Sequence, residues 1–296
     1  MIVSTTHRRR SPGVRPYLRR VNTVSHTSSA GCSSHISQYW HAESVPSEVA
    51  TLLNTFREQN PDLVHEVFDE AGARALIRSS LSMREVGAFD ACAVPAMQAD
   101  FFRYCAVLKL GGVYSDADYR CVSSLRPLIG GDSCGELFCR PETYVLDGQP
   151  LRRVLNGFFV FSEPGHPLLE LAIDVATANV EQRIGERVWG VGENVKENIW
   201  MSVGPGIFTT LHYLNVLGSF DRLIRVTAGT PAEHFMDLYC EVIGTPDRVT
   251  AAFDGVRVSP FEEMWRWIAH PEAPLPYKGT GIHWKNVTTP IFKRLH

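Results

Sequence analysis

The sequence predicts an α/β protein whose central sheet is mainly parallel and flanked by helices. Three observations predict it. Short β-prone runs alternate with amphipathic helical runs over residues 35–78, and a further strand follows a Gly-Gly break at 111–112. An apolar strand at 156–161 then switches to a helical period from Leu168. At 296 residues the chain buries a sizeable core, and residues 35–296 read as one domain rather than two.

Residues 1–34 are rich in Arg, Ser and Thr, with Arg8-Arg9-Arg10 and Arg19-Arg20 and almost no acid. We read them as a disordered basic extension. The composition also fits a transit peptide, or a basic tail in peripheral contact with an anionic membrane surface. Order is predicted to begin with the short strand His35-Ile36-Ser37-Gln38-Tyr39-Trp40. Pro46 and Ser47 open a helix that puts Val49, Leu52, Leu53 and Phe56 on one face. Asn60-Pro61-Asp62 ends it, because proline disfavours helix at the residue before it. A second strand at Val64–Phe68 and a helix from Asp69 to Arg78 complete a β-α-β-α unit. Residues 79–98 show no clear period and are read as a loop with a short helix.

The next helix opens at Pro95, a favourable first helical position. Phe101, Cys105 and Leu108 share a face, Asp100 and Arg103 are i, i+3 neighbours, and Gly111 is a good stop. The strand Gly112–Ser115 follows and delivers Asp116 and Asp118 to one side of the chain. Tyr119 to Ile129 is an excursion towards the Gly130-Gly131-Asp132 turn, and Glu136–Arg140 a strand. Asn156 opens the apolar strand, which ends in the turn Ser162–Pro167. Gly204-Pro205-Gly206 precedes a helical run at 207–217. Residues 223–257 read as β-prone pieces between turns, and Gly281-Ile282-His283-Trp284 stands out near the end.

Composition excludes several classes. Net charge is −3, so no strong field favours nucleic acid. The sequence lacks an apolar run of transmembrane length and the apolar core of a secretory signal, so we expect a cytoplasmic protein. Seven cysteines without a Cys-x-x-Cys pair fit reduced, buried thiols better than disulfides or a zinc site. Asn286-Val287-Thr288 is a glycosylation sequon that matters only in a secreted chain.

Two carboxylates two residues apart at a strand end make a compact site of hard oxygen ligands, suited to Mg²⁺ or Mn²⁺ shared with substrate phosphates. Glycines ahead of the 207–217 helix can present N–H groups to a phosphate or an acceptor.

The order of an Asp/Arg-bearing helix, Gly-Gly, an apolar pair and Asp116-Ala117-Asp118 resembles the sugar-binding signature of DXD glycosyltransferases. It is most similar to family 32, which includes initiating α-1,6-mannosyltransferases and bacterial capsule and lipooligosaccharide transferases. The sugar-transferring domain of the large clostridial toxins carries a related pattern. Members begin with an Ile-His-Gln-x-Trp strand and an Asn-Pro-Asp turn. Ile36, Gln38, Trp40 and Asn60-Pro61-Asp62 fit, while Ser37 stands where histidine is usual.

That resemblance implies a GT-A-type nucleotide-sugar-binding fold and a metal-dependent, retaining transferase of polysaccharide biosynthesis. The donor is then a UDP- or GDP-sugar, and the acceptor a glycan, a lipid-linked glycan or a protein. Asp118 would hold the cation, Mn²⁺ or Mg²⁺, completed by a late histidine, His283. Asp116 would contact the ribose or the metal shell. Trp40 would stack on the base, Asp100 and Arg103 would hold sugar hydroxyls, and Asn156 would lie beside the donor sugar. The Gly204–Gly206 turn would line the acceptor side, and no nucleophile is named. Two other readings remain: a non-catalytic binder of carbohydrate or nucleotide-sugar, and a metal phosphohydrolase of the haloacid dehalogenase type, which also uses Asp-x-Asp after a strand.

Overall fold

The computed structural model describes residues 33–146, 149–186, 195–279, 283–287 and 290–293; for 141–146, 149–151, 195, 197, 231 and 284 the backbone alone is described. The predicted basic extension therefore lies outside the described residues except for Ser33 and Ser34, as do Gly281 and Ile282.

The strand β1 (His35–Tyr39) is buried from Ile36 onward. Helix α1 (Ser47–Gln59) buries Val49, Leu52, Leu53 and Phe56, the face that its period marks out. Asn60 stops it and is itself buried. Its side chain donates to Phe56 O at 2.9 Å and accepts from Leu125 N–H at 2.6 Å. β2 (Val64–Phe68) pairs in parallel with β1. Asp69 caps α2 (Glu70–Ser80) by accepting from Gly72 N–H at 2.7 Å.

Much of the predicted loop at 79–98 is a helix, α3 (Met83–Ala91). It is started by a capping box in which the Ser82 and Glu85 side chains each satisfy the other's backbone donor. The signal was the Ser-x-x-Glu spacing, which outweighs a weak period. Helix α4 (Pro95–Leu110) is buried nearly all round, including Asp100 and Arg103, rather than along one stripe. It ends at Gly111, and Gly112 takes φ +78° at the start of β3 (Gly112–Ser115). An added Cβ at Gly112 would overlap the His35 carbonyl, so this glycine lets β3 lie against β1.

Beyond β3 come a two-residue strand β4 (Arg120–Cys121) and a turn of helix α5 (Arg126–Ile129). The long strands β5 (Gly135–Leu146) and β6 (Gln149–Phe161) then form an antiparallel pair. Next are α6 (Pro167–Gly185), α7 (Val195–Ser202) and α8 (Gly206–Leu217). Of the stretch 223–257 expected to hold β-prone pieces, only residues 256–257 enter a strand, and residues 220–252 are mainly helical. They form three short helices, α9 (Phe220–Thr227), α10 (Met236–Ile243) and α11 (Pro246–Ala252). Met236, Tyr239 and Ile243 are buried at helical spacing, so tertiary packing overrides the β propensity of Tyr, Val and Ile here. β7 (Val256–Pro260), α12 (Phe261–Met264) and β8 (Ile268–Ala269) complete the elements that the site requires.

The six-stranded sheet runs β2-β1-β3-β6-β5-β7. Of its five pairings, β1/β2, β1/β3 and β5/β7 are parallel and the two made by β6 are antiparallel, so the sheet is mainly parallel as predicted. Strand alternation divides the core. Tyr114, Phe159 and Phe161 pack with α4, α6 and α8, whereas Val113, Phe158 and Val160 pack with Phe56, Leu125 and Met264 on the other face. No helix of the described residues is long and apolar enough to cross a membrane.

Candidate active site

Arg103 is the centre of a charged cluster that α4 and β3 build together. Its side chain is almost fully enclosed, and one nitrogen, Nη2, lies 2.9 Å from both Asp100 Oδ1 and Asp116 Oδ1. Its Nε donates to Ala99 O at 3.2 Å, and its guanidinium lies over the Tyr114 ring, 4.9 Å from the centroid. A buried guanidinium needs its charge matched and its donors used; here two carboxylates face it, and Nε and Nη2 both have acceptors. The Asp100–Arg103 pair predicted at i, i+3 is therefore an enclosed part of the site, not a solvated surface pair.

Asp116 and Asp118 reach the cleft through a turn that follows β3, closed by Tyr119 N–H donating to Asp116 O, rather than by alternation along the strand. Asp116 N–H donates to Gly157 O at 2.7 Å, and Gln38 Nε2 donates to Asp116 O at 3.3 Å. Asp116 Oδ1 also accepts from the Tyr114 hydroxyl at 3.2 Å. Asp118 Oδ2 is 2.6 Å from Lys278 Nζ, and the Asp118 carboxylate also accepts a hydrogen bond from the Tyr277 hydroxyl.

Asn156, on β6, closes the cluster from the far side. Its Nδ2 donates to Asp100 Oδ1 at 3.0 Å and to the Tyr104 hydroxyl at 3.2 Å. The carboxylate partner fixes the amide orientation, because an ionised carboxyl accepts only. The Tyr104 hydroxyl lies 3.1 Å from the carbonyls of Val203 and Gly204, tying α4 to the predicted acceptor-side turn.

Burial pushes Asp100 up to about 6, opposed by the Arg103 guanidinium and the Asn156 hydrogen bond. Burial also pushes Asp116 up to about 7, with Arg103 opposing and the Asp118 carboxylate adding to the shift. Burial lowers His283, and Lys278 and Lys285 lower it further against the pull of Asp118.

The predicted residues Trp40, Asp100, Arg103, Asp116, Asp118, Asn156 and His283 all line one cleft of about 290 Å³. Trp40 is largely buried, donates through its indole N–H to Ser44 O at 3.2 Å, and meets Tyr277 edge-on at 5.2 Å. Ser37, at the position where histidine was expected, is buried within β1. Five contributors were not singled out from the sequence: Tyr104, Tyr114, Gly157, Tyr277 and Lys278. A glycine inside an apolar strand was a usable signal for Gly157, whereas Lys278 lies some 160 residues from its partner and carried none.

Among the described residues no group of three His, Cys, Asp or Glu side chains is placed to hold a metal ion. The donor set nevertheless fits a hard cation shared with a ligand: Asp118 offers carboxylate oxygen, His283 lines the same cleft, and Asp116 Oδ1 is already occupied.

Residues 46–134 match a family model described as the glycosyltransferase sugar-binding region containing a DXD motif. The chain is 28% identical over 193 residues to the initiation-specific alpha-1,6-mannosyltransferase of Schizosaccharomyces pombe, covering 57% of this chain and 45% of that protein. It is 26% identical over 194 residues to the Candida albicans protein of the same name, covering 58% of this chain and 50% of that protein. An uncharacterized glycosyltransferase of Acanthamoeba polyphaga mimivirus is 30% identical over 129 residues, covering 43% of this chain and 48% of that protein. The chain thus spans about half the length of the curated relatives it matches. The solved structure of the PaToxG glycosyltransferase superposes with a TM-score of 0.44 at 15% identity, covering 76% of this chain and 86% of that one. The matched residues 46–134 include Asp100, Arg103 and Asp116-Ala117-Asp118, the residues on which the resemblance seen in the sequence rests.

Proposed function

We propose that this protein is a retaining glycosyltransferase, which moves a hexose from a UDP- or GDP-sugar to a glycan, a lipid-linked glycan or a protein side chain. The observation that carries the reading is the convergence of Asp100, Arg103, Asp116, Asp118 and Asn156 on one cleft, with a single guanidinium nitrogen joining two of the carboxylates. The names of the relatives make mannose the first sugar to try.

A divalent cation, Mn²⁺ or Mg²⁺, would be held by Asp118 with His283 beside it, and would supply Lewis-acid stabilisation of the charge on the departing diphosphate. The chain's own residues position the rest. Asp100 and Asp116 accept hydrogen bonds from sugar or ribose hydroxyls, and Arg103 keeps both carboxylates fixed while they do so. Asn156 spends its amide N–H groups on Asp100 and Tyr104 and offers its oxygen to a sugar hydroxyl. Trp40 carries the base on what its ring exposes. The Gly204–Gly206 turn borders the acceptor side. Rigid placement of donor and acceptor supplies much of the rate, and the unoriented protein–solvent hydrogen bonds of a mobile site are avoided.

The test is release of free sugar from a panel of UDP- and GDP-sugars, GDP-mannose among them, with Mn²⁺ and without acceptor. Release from one donor, abolished by chelation and by Asp118→Ala, is the expected result. Silence across the panel from a folded protein that also fails to bind nucleotide would overturn the reading.

A further inference from the structure

We infer that Lys278 is a built-in counter-cation for Asp118 that makes divalent-metal binding conditional on a diphosphate. The inference rests on the proposed metal role of Asp118 and goes beyond it to a residue that the DXD motif does not contain. Lys278 Nζ stands 2.6 Å from Asp118 Oδ2, a charge-assisted contact at the carboxylate proposed to ligate the metal. The lysine is not a loose surface group. Its backbone N–H donates to Leu275 O at 3.0 Å, its carbonyl accepts from Asn286 Nδ2 at 3.0 Å, and its neighbour Tyr277 packs edge-on against Trp40.

An ammonium and a divalent cation on one carboxylate repel each other, so the metal takes Asp118 only as Lys278 leaves. In the cleft without donor the departing ammonium exchanges a carboxylate for water. With a nucleoside diphosphate present it gains phosphate oxygens instead, to which lysine binds well as a point charge. Metal and diphosphate therefore assist each other through this side chain, and the assistance is reciprocal. The cleft avoids filling with metal alone.

The experiment titrates Mn²⁺ into the purified full chain and reads free Mn²⁺ by its electron paramagnetic resonance signal, with and without UDP or GDP. In the wild type, Mn²⁺ alone binds weakly and one of the nucleotides tightens it. In Lys278→Met, Mn²⁺ alone binds about tenfold more tightly and the nucleotide effect shrinks by a similar factor, within the usual range of coupling between sites. Lys278→Arg keeps the wild-type pattern. Adding Asp118→Asn to Lys278→Met removes the Mn²⁺ binding gained. Unchanged Mn²⁺ affinity in Lys278→Met, still dependent on Asp118, would overturn the inference and leave the metal-dependent transferase standing. Absence of Mn²⁺ binding in every protein, with or without nucleotide, would overturn both.

Discussion

Asp116 fills the space that a side chain at Gly157 would need. A Cβ built at Gly157 falls 2.5 Å from Asp116 Oδ2 and 3.3 Å from its carboxyl carbon. The same two residues are joined through their backbones, Asp116 N–H donating to Gly157 O. The first aspartate of the DXD motif is thus placed by a glycine forty-one positions later, where β6 runs antiparallel to β3.

Gly157→Ala should therefore damage the site more than the fold. The methyl group meets a carboxylate pinned by Arg103 and Tyr114, which shifts or loses those contacts. We expect donor hydrolysis to fall at least about tenfold, with a stability loss of about 1–3 kcal/mol typical of overpacking. Donor release measured beside a denaturant titration checks this. Unchanged release would show that Asp116 need not hold its position.

Arg103→Lys should behave as a severe change. A lysine ammonium has no planar fork to reach Asp100, Asp116 and Ala99 O together, and it loses the contact with the Tyr114 ring. Arg103→Met leaves the buried Asp100 carboxylate and the partly exposed Asp116 without a counter-ion; breaking a fully buried pair costs about 3–5 kcal/mol, and the exposure of Asp116 puts this loss at or below the lower end of that range. Denaturant unfolding of both variants reads the cost. A loss below about 1 kcal/mol would mean that the cluster is solvated like a surface pair.

Asp100, Arg103, Asp116 and Asp118 were legible in the sequence because they lie within nineteen residues, in an order with chemical meaning. The strand–helix order up to β3 was legible except for α3, because strand alternation, the α1 stripe and the Asn-Pro-Asp stop agree, whereas α3 has only a weak period behind its capping box. The helices α9 to α11 were not legible from residue propensity, because β-prone Val, Ile and Tyr masked a helical spacing that is present, as at Met236, Tyr239 and Ile243. The burial of α4 on all sides was likewise invisible, since Asp100 and Arg103 resemble a surface pair until Asn156 and Asp116 are brought to them. Lys278 and Tyr277 lie in a turn whose partners are remote in the chain, so no local pattern points to Asp118.

Tyr104→Phe isolates the link between α4 and the turn after α7. The hydroxyl accepts from Asn156 and serves the carbonyls of Val203 and Gly204, all within an enclosed region. Its removal strands a buried amide N–H and leaves those carbonyls without this donor, a penalty of about 1–3 kcal/mol. Hydrogen exchange of residues 199–207 should quicken more than that of the β3 strand. Equal protection in variant and wild type would mean that the turn is held by its backbone alone.

The pH dependence of stability should carry the mark of Asp100. Its ordinary value of 3.8 rises to about 6 in the folded chain, chiefly through burial, with Arg103 and Asn156 opposing. The folded state therefore binds this proton more tightly than the unfolded state. Below about pH 4 both states are protonated and the residue costs nothing; between about 4 and 6 its ionisation burdens the folded state increasingly, and above 6 the burden is constant. The charged groups facing it are Arg103 and, through that guanidinium, Asp116. Asp100→Asn keeps the shape and removes the titration, while Asp116 titrates in both proteins. Wild-type stability minus that of the variant should therefore fall as pH rises through this window and then level off. Urea midpoints of both proteins at intervals across the window give the curve. A difference that rises with pH would show that Arg103 outweighs burial and holds Asp100 below its ordinary value. Sugar binding should run the other way, since the ionised carboxylate is the stronger acceptor of hydroxyl hydrogen bonds. Donor release should therefore climb over the same pH range in which this group weakens the fold.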